Sequence, residues 1–81
     1  MRRARAFWLT SKGRGVVRRQ ALPDPGPGWC IVRAVFSAVS PGTERLVALG
    51  RVPGPLQDEM RCPYMGGRFP FPVKYGYSLV G

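Results

Sequence analysis

Small hydroxyl and carboxylate side chains gather at one place in this sequence, Ser40-Pro41-Gly42-Thr43-Glu44, directly after Phe36-Ser37-Ala38-Val39. Ser40 suits a helix N-cap, because its hydroxyl can accept from the free amides of a first turn. Pro41 suits the first helical position, where its missing N–H is not needed. Thr43 and Glu44 put a hydroxyl and a negative charge into that turn, which the helix dipole favours. A strand-to-helix junction tipped with small polar residues is a frequent place for a binding or reaction site. It is equally an ordinary way to begin a helix. The other chemically notable residues, Cys30 and Cys62, are far apart in a chain with no histidine, so a self-contained zinc site is not expected.

The charge is strongly one-sided: thirteen basic against four acidic residues give +9. Such a balance attracts nucleic acid or an anionic membrane surface. The cations are spread, with only Arg2-Arg3-Arg5 and Arg18-Arg19 clustered, and a solvated basic surface is the plainer reading. Eighty-one residues allow one small domain with a modest core. A hydrophobic content of 44% with four Phe, three Tyr and two Trp argues against disorder. Nine Pro and eleven Gly favour short strands joined by turns over a helical bundle. No apolar run approaches the roughly 20 residues of a membrane span. The basic start is interrupted by Ser11, Lys12 and Arg14 before a signal-peptide core can form. A soluble, cytoplasmic protein with reduced thiols is expected.

The elements that must position Ser40–Glu44 follow from pattern. Ala4–Thr10 is expected as a strand, with Phe7 and Leu9 on one face and Ala6 and Trp8 on the other. Ser11-Lys12-Gly13 supplies a turn, and Gly15–Leu22 returns antiparallel as an edge or half-exposed strand. Pro23–Gly28 breaks both strand and helix. Across Trp29–Ala38, Cys30, Val32, Ala34, Phe36 and Ala38 alternate as one apolar face, which predicts a half-buried strand. A helix over Pro41–Leu49 follows, with Leu46, Val47 and Leu49 toward the core, Gly50 after its end and Pro53 barring continuation. Within Arg51–Met65 only Gln57–Arg61 suggests a helical turn. Phe69–Tyr75 is expected to be extended, because each proline disfavours helix in its predecessor. Gly76–Gly81 resembles the start of one more strand, so the chain is expected to break off within a sheet.

In this order the pieces resemble the opening of a medium-chain dehydrogenase/reductase. The likeness is carried by Ile31-Val32-Arg33-Ala34-Val35-Phe36-Ser37-Ala38-Val39-Ser40-Pro41-Gly42-Thr43-Glu44 and by Phe69-Pro70-Phe71-Pro72-Val73-Lys74-Tyr75-Gly76-Tyr77-Ser78-Leu79-Val80-Gly81. The second run is similar to the zinc-binding alcohol dehydrogenase-like branch, which also resembles bacteriochlorophyllide dehydrogenases. The resemblance spans essentially the whole chain. It implies a mainly β fold with one short helix: residues 1–81 as the N-terminal portion of a GroES-like, partly open β-barrel, with a Rossmann domain outside this sequence. The function it implies is the substrate side of an NAD(P)-dependent oxidoreductase acting on a small carbonyl or alcohol, inactive as these residues alone.

Departures from that family bear on mechanism. Where zinc members carry a catalytic cysteine just before a Gly-Thr-Asp-like turn, this chain has Ser40 or Pro41 ahead of Gly42-Thr43-Glu44. Where they carry Gly-His-Glu, it has Gly76-Tyr77-Ser78. Serine or proline with tyrosine is a poor donor set for zinc, so no catalytic zinc is expected. A hydroxyl would then polarise the carbonyl while the nicotinamide supplies hydride. Thr43, at the family's hydroxyl relay position, Tyr77 and Ser40 are the candidate catalytic residues. Each also has a structural use: Thr43 and Ser40 in capping, Tyr77 as a packed strand aromatic. Gly42 and Gly76 are expected to allow close backbone approach. No Gly-x-Gly-x-x-Gly stands in a dinucleotide-binding context here, since Gly13-Arg14-Gly15 has the wrong spacing and Gly26-Pro27-Gly28 no following helix.

A second class of function is a small basic β-barrel binding RNA or DNA, with Trp8, Phe36, Tyr64, Phe69 and Tyr75 as stacking platforms. It is disfavoured on the sequence, because basic and aromatic residues are not interleaved on any identifiable strand face. Exposed edges and apolar surface are further expected to make the isolated chain self-associate.

Overall fold

The computed structural model describes residues 2–62 and 65–81. Its largest element is the expected hairpin. Strand β1 (Arg2–Ser11) pairs antiparallel with β2 (Arg14–Leu22) from Arg2↔Leu22 to Leu9↔Gly15, with an irregularity before Ser11↔Arg14. Arg5 faces Arg19, and Phe7 faces Val17. A side chain on Gly15 would collide with the Phe7 ring, which explains a bare position in the strand. β2 is the sheet's edge, as its mixed pattern predicts. On the other side of β1, Leu9 pairs with Val73 of β5 (Val73–Lys74), and β5 pairs with β4 (Gly66–Gly67).

Helix α1 (Thr43–Ala48) starts later than Pro41 because Pro41 and Gly42 form a turn ahead of it. Its end is well specified. Gly50 takes φ +66°, its N–H reaches Val47 O at 3.1 Å, and Arg51 N–H reaches Leu46 O at 2.9 Å. This Schellman arrangement needs a left-handed residue, which glycine supplies without strain. The Gly13 N–H of the hairpin turn donates to Ala48 O at 2.8 Å, fastening hairpin to helix. Of the three residues assigned to the helix's inner face, Val47 is fully buried, Leu49 is half-buried and Leu46 is exposed. A six-residue helix against a small core covers only a narrow stripe. A 3₁₀ turn (Gly54–Leu56) then leads into α2 (Gln57–Met60), near the helical turn expected there.

The core holds Leu9, Val47, Val52, Met65, Phe69 and Val73, with Ala48, Met60, Cys62, Phe71 and Tyr75 packed around it. It is small, and among the described residues only Val47 and Val73 are wholly withdrawn from solvent. The radius of gyration is 13.5 Å, against about 12 Å for a compact domain of this length. The hairpin's reach makes the difference.

Two expectations need correction here. Trp29–Ala38 is not a half-buried strand: only β3 (Phe36–Ser37) is regular, and every residue from 29 to 39 is exposed. Alternation shows which residues can share a face, but a face becomes buried only if another layer covers it. Its partner is β6 (Leu79–Val80), itself exposed, with flanking bonds Val35 N–H to Val80 O (2.8 Å) and Ala38 N–H to Ser78 O (3.1 Å). Phe69–Tyr75, in turn, is not extended throughout. The chain reverses between β4 and β5, with Phe69–Pro70 and Phe71–Pro72 cis and Arg68 N–H donating to Pro72 O at 3.2 Å. The fold is thus mainly β with a short helix. Its four-stranded sheet, β2-β1-β5-β4, and its two-stranded sheet, β3-β6, do not close into a barrel.

Candidate functional site

Ser40 behaves as its sequence context predicts, although the regular helix begins beyond it. Its hydroxyl accepts from Thr43 N–H at 3.2 Å, and its own N–H donates to the Glu44 carboxylate. This is a reciprocal cap in the manner of a capping box, widened by one residue on the glutamate side. The Ser40 hydroxyl and the Glu44 carboxylate are therefore engaged in holding the turn. Gly42 does not provide close approach, since a Cβ there would meet open space. A Cβ on Gly76 would make only ordinary contact, 3.9 Å from Glu44 Oε1. That contact nevertheless shows that the two polar motifs adjoin through Glu44 and Gly76.

Beside this junction lies a cavity of about 460 Å³. Its walls include Arg5 and Phe7 of β1, Ala34 and Ser37 near β3, Cys62, and the run Tyr75–Leu79. Tyr77 lines it and is 55% exposed, so its side chain is open to a ligand. Ser40 and Thr43 are not among its lining residues. The structure therefore brings Tyr77 to a cavity and keeps Ser40 and Thr43 at the adjoining helix start. A second cavity, of about 280 Å³, lies between the hairpin and α1, lined among others by Phe7, Leu9, Glu44, Val47 and Tyr75.

Tyr75 lines both cavities; sequence reasoning names it only as a stacking platform for nucleic acid, not as a residue of this site. The signal was available: Tyr75 and Tyr77 are two apart in an extended run, which directs both to one side. The rings meet edge to face, 6.0 Å between centroids at 86°, and Tyr75 also lies 5.6 Å from Phe69. Tyr75 donates its hydroxyl hydrogen to Met60 O at 3.0 Å. Burial, then the neighbouring Cys62 thiol, then repulsion from Tyr77 and Glu44, push its pKa up to about 12. Its phenol thus stays protonated through the physiological range and pins the α2 end.

Cationic chemistry at the cavity comes from Arg5. Although Lys74 lines the cavity, its ammonium is directed to Gln20 Oε1 (3.5 Å) and lies 5.9 Å from the Trp8 ring centroid. Arg18 also lies over Trp8, at 5.1 Å. Cys30 and Cys62 are free thiols. Among the described residues, no group of three or more His, Cys, Asp or Glu is placed to hold a metal. Nor is any helix among them long and apolar enough to cross a membrane. Of the five aromatic platforms considered for nucleic acid, Tyr64 lies outside the described residues, Phe69 is buried, and Trp8 carries cations over its ring. No family model matches this chain, and neither a curated protein nor a solved structure does.

Proposed function

We propose that this chain is the N-terminal, substrate-side part of a zinc-free, NAD(P)-dependent oxidoreductase of the medium-chain dehydrogenase/reductase type, of GroES-like descent. The observation that supports the reading best is the meeting of its two motifs: Gly76 adjoins Glu44, and Tyr77 lines a cavity of about 460 Å³ beside them. In this reading Tyr77 donates its hydroxyl hydrogen bond to the substrate carbonyl oxygen, where negative charge develops as hydride arrives. Thr43 and Ser40 hold the adjacent turn, and Thr43 stands ready to relay a proton once a substrate and the rest of the cleft are in place. NAD(P)H would supply the hydride from a dinucleotide domain outside these residues. The donor set at Ser40, Pro41 and Tyr77 does not suit zinc, and no step is assigned to a metal. The reading also places the protein in the cytoplasm, with Cys30 and Cys62 reduced.

The reading frame beyond the Gly81 codon tests this directly. The expected result is an open frame encoding a strand, a glycine-rich turn and a helix, and no NADPH turnover by residues 1–81 with aldehydes or quinones. A stop codon at that point, or turnover by the 81-residue chain itself, overturns the reading. In the longer protein, Tyr77→Phe should lower kcat about 100-fold while leaving KM nearly unchanged.

A further inference from the structure

The hairpin changes what the charge distribution means. Along the sequence, Arg2-Arg3-Arg5 and Arg18-Arg19 are separate clusters, but the register sets Arg5 directly opposite Arg19 and Arg3 opposite Ala21. Residues directly opposite in an antiparallel pair share a face, as do residues two apart on one strand. Arg3, Arg5 and Arg19 therefore stand together on one face, continued by Phe7 and Val17. All three arginines are exposed, Phe7 is 54% exposed and Val17 64%. On this face the cations run up to an aromatic ring, a juxtaposition defined only once the register is known.

The arrangement is unfavourable in isolation. Like charges directly opposite on a sheet repel, and no acidic residue occurs anywhere between Arg2 and Leu22. Among the described residues, the guanidinium groups of Arg3, Arg5 and Arg19 have no hydrogen-bond or ion-pair partner. A depression of about 240 Å³ lies among Arg3, Arg19, Gln20 and Ala21, large enough for a phosphate group. A polyanion would relieve the repulsion.

We propose that this face of the hairpin binds single-stranded nucleic acid, with Arg3, Arg5 and Arg19 on phosphates and Phe7 under an unpaired base. Three features select this partner. Guanidinium forks pair phosphate oxygens two at a time and stack on bases, and the three cations on the face are all arginines. Strand residues two apart present their groups in a line, roughly 6.7 Å between them, which suits an extended backbone. The apolar group, Phe7 with Val17 opposite, lies in line with the cations, whereas a membrane-surface element segregates a broad apolar face for insertion. Single strands are favoured over duplex because Phe7 can stack only on a base that is not paired. The face shares Arg5 and Phe7 with the wall of the cavity that Tyr77 lines, but the proposal uses none of Tyr77, Thr43 or Ser40.

Fluorescence anisotropy of a labelled single-stranded 12-mer, as RNA and as DNA, titrated with the full chain at several salt concentrations, tests the proposal. Binding is expected, with log K falling against log salt at a slope of about −2 for three phosphate contacts. Arg5→Gln with Arg19→Gln should remove about 1.4 from that slope, and Phe7→Leu should weaken binding roughly ten-fold while keeping apolar packing. Arg61→Gln with Arg68→Gln lowers net charge equally but lies off the hairpin, and should leave the affinity within about two-fold. Circular dichroism checks that each variant keeps its fold. Absence of salt-dependent binding, equal losses in the two double variants, a preference for duplex, or tighter binding to vesicles containing phosphatidylserine would each overturn it. RNA preferred over DNA, or DNA over RNA, supports it and names the ligand.

Discussion

Two antiparallel pairings in this molecule make an instructive contrast. β1 and β2 run together for nearly their whole length, whereas β3 and β6 pair over only two residues each, with both partners exposed. Apolar pattern does not explain the difference: Trp29–Ala38 is the more apolar segment and alternates at least as regularly as Arg14–Leu22. What differs is the cost of meeting a partner. The hairpin closes through a tight turn at Lys12-Gly13, so little loop entropy is spent and the register is set locally. β3 must wait for a strand from the far end of the chain, and among the described residues no helix or sheet then covers the pair. Apolar alternation without a second layer gives a ribbon, not a core. Trp29, Ile31, Val32, Val35, Phe36 and Val39 are all left exposed, with Leu79 and Val80 beside them.

The contrast can be broken most forcefully at its stable end. Val73 is fully buried and pairs with Leu9 where the hairpin joins the sheet. Val73→Ala should destabilise the fold by about 2–3 kcal/mol, from lost transfer energy and a residual cavity. Urea denaturation followed by circular dichroism measures it, and a change under 0.5 kcal/mol would mean that no cooperative core forms around this site.

A smaller loss is expected at high pH on the same side of the molecule. The folded Tyr75 pKa, about 12, lies above its ordinary value of 10. Its contribution is therefore complete below pH 10 and is lost as pH rises toward 12, where the unfolded chain releases a proton that the folded one retains. Because Tyr75 is only half-buried, solvent screening keeps the effect small. The urea midpoint should fall across this window, and Tyr75→Phe should flatten that fall. An unchanged slope in the variant would assign the alkaline loss to other groups.

The least effect is expected on the ribbon. Phe36→Ser should leave the urea midpoint nearly unchanged, within about 0.5 kcal/mol, because Phe36 is 73% exposed. The same substitution should reduce self-association seen by analytical ultracentrifugation, as it removes apolar surface from an open edge. A large loss of stability would show that the ribbon is covered in solution.

How far the sequence could be read follows the same division. The hairpin, its edge strand and the end of α1 were legible because turn residues, alternation and the Gly50–Pro53 stop act over a few positions. The Ser40 cap was legible for the same reason, whereas Glu44, read only as a charge that the helix dipole favours, also accepts from Ser40 N–H. Burial along Trp29–Ala38 was not, because it depends on which distant element lies over the strand. Nor was the turn-back at Arg68–Pro72, where proline was correctly read as excluding helix but gave no direction to the chain. At the site, Tyr77 was proposed from the resemblance alone, at the position of the family's Gly-His-Glu run, whereas the spacing of Tyr75 from Tyr77 was visible but not its bond to the Met60 carbonyl. The convergence of Arg5 and Arg19 likewise needed the register.

The bond from Gly13 N–H to Ala48 O has a mechanical consequence. Together with the Leu9–Val73 pairing it clamps the hairpin at its turn end, while Arg2 and Leu22 mark the opposite, projecting end. The hairpin is a cantilever with its fulcrum at Leu9–Gly13, and its arginines ride on the free arm.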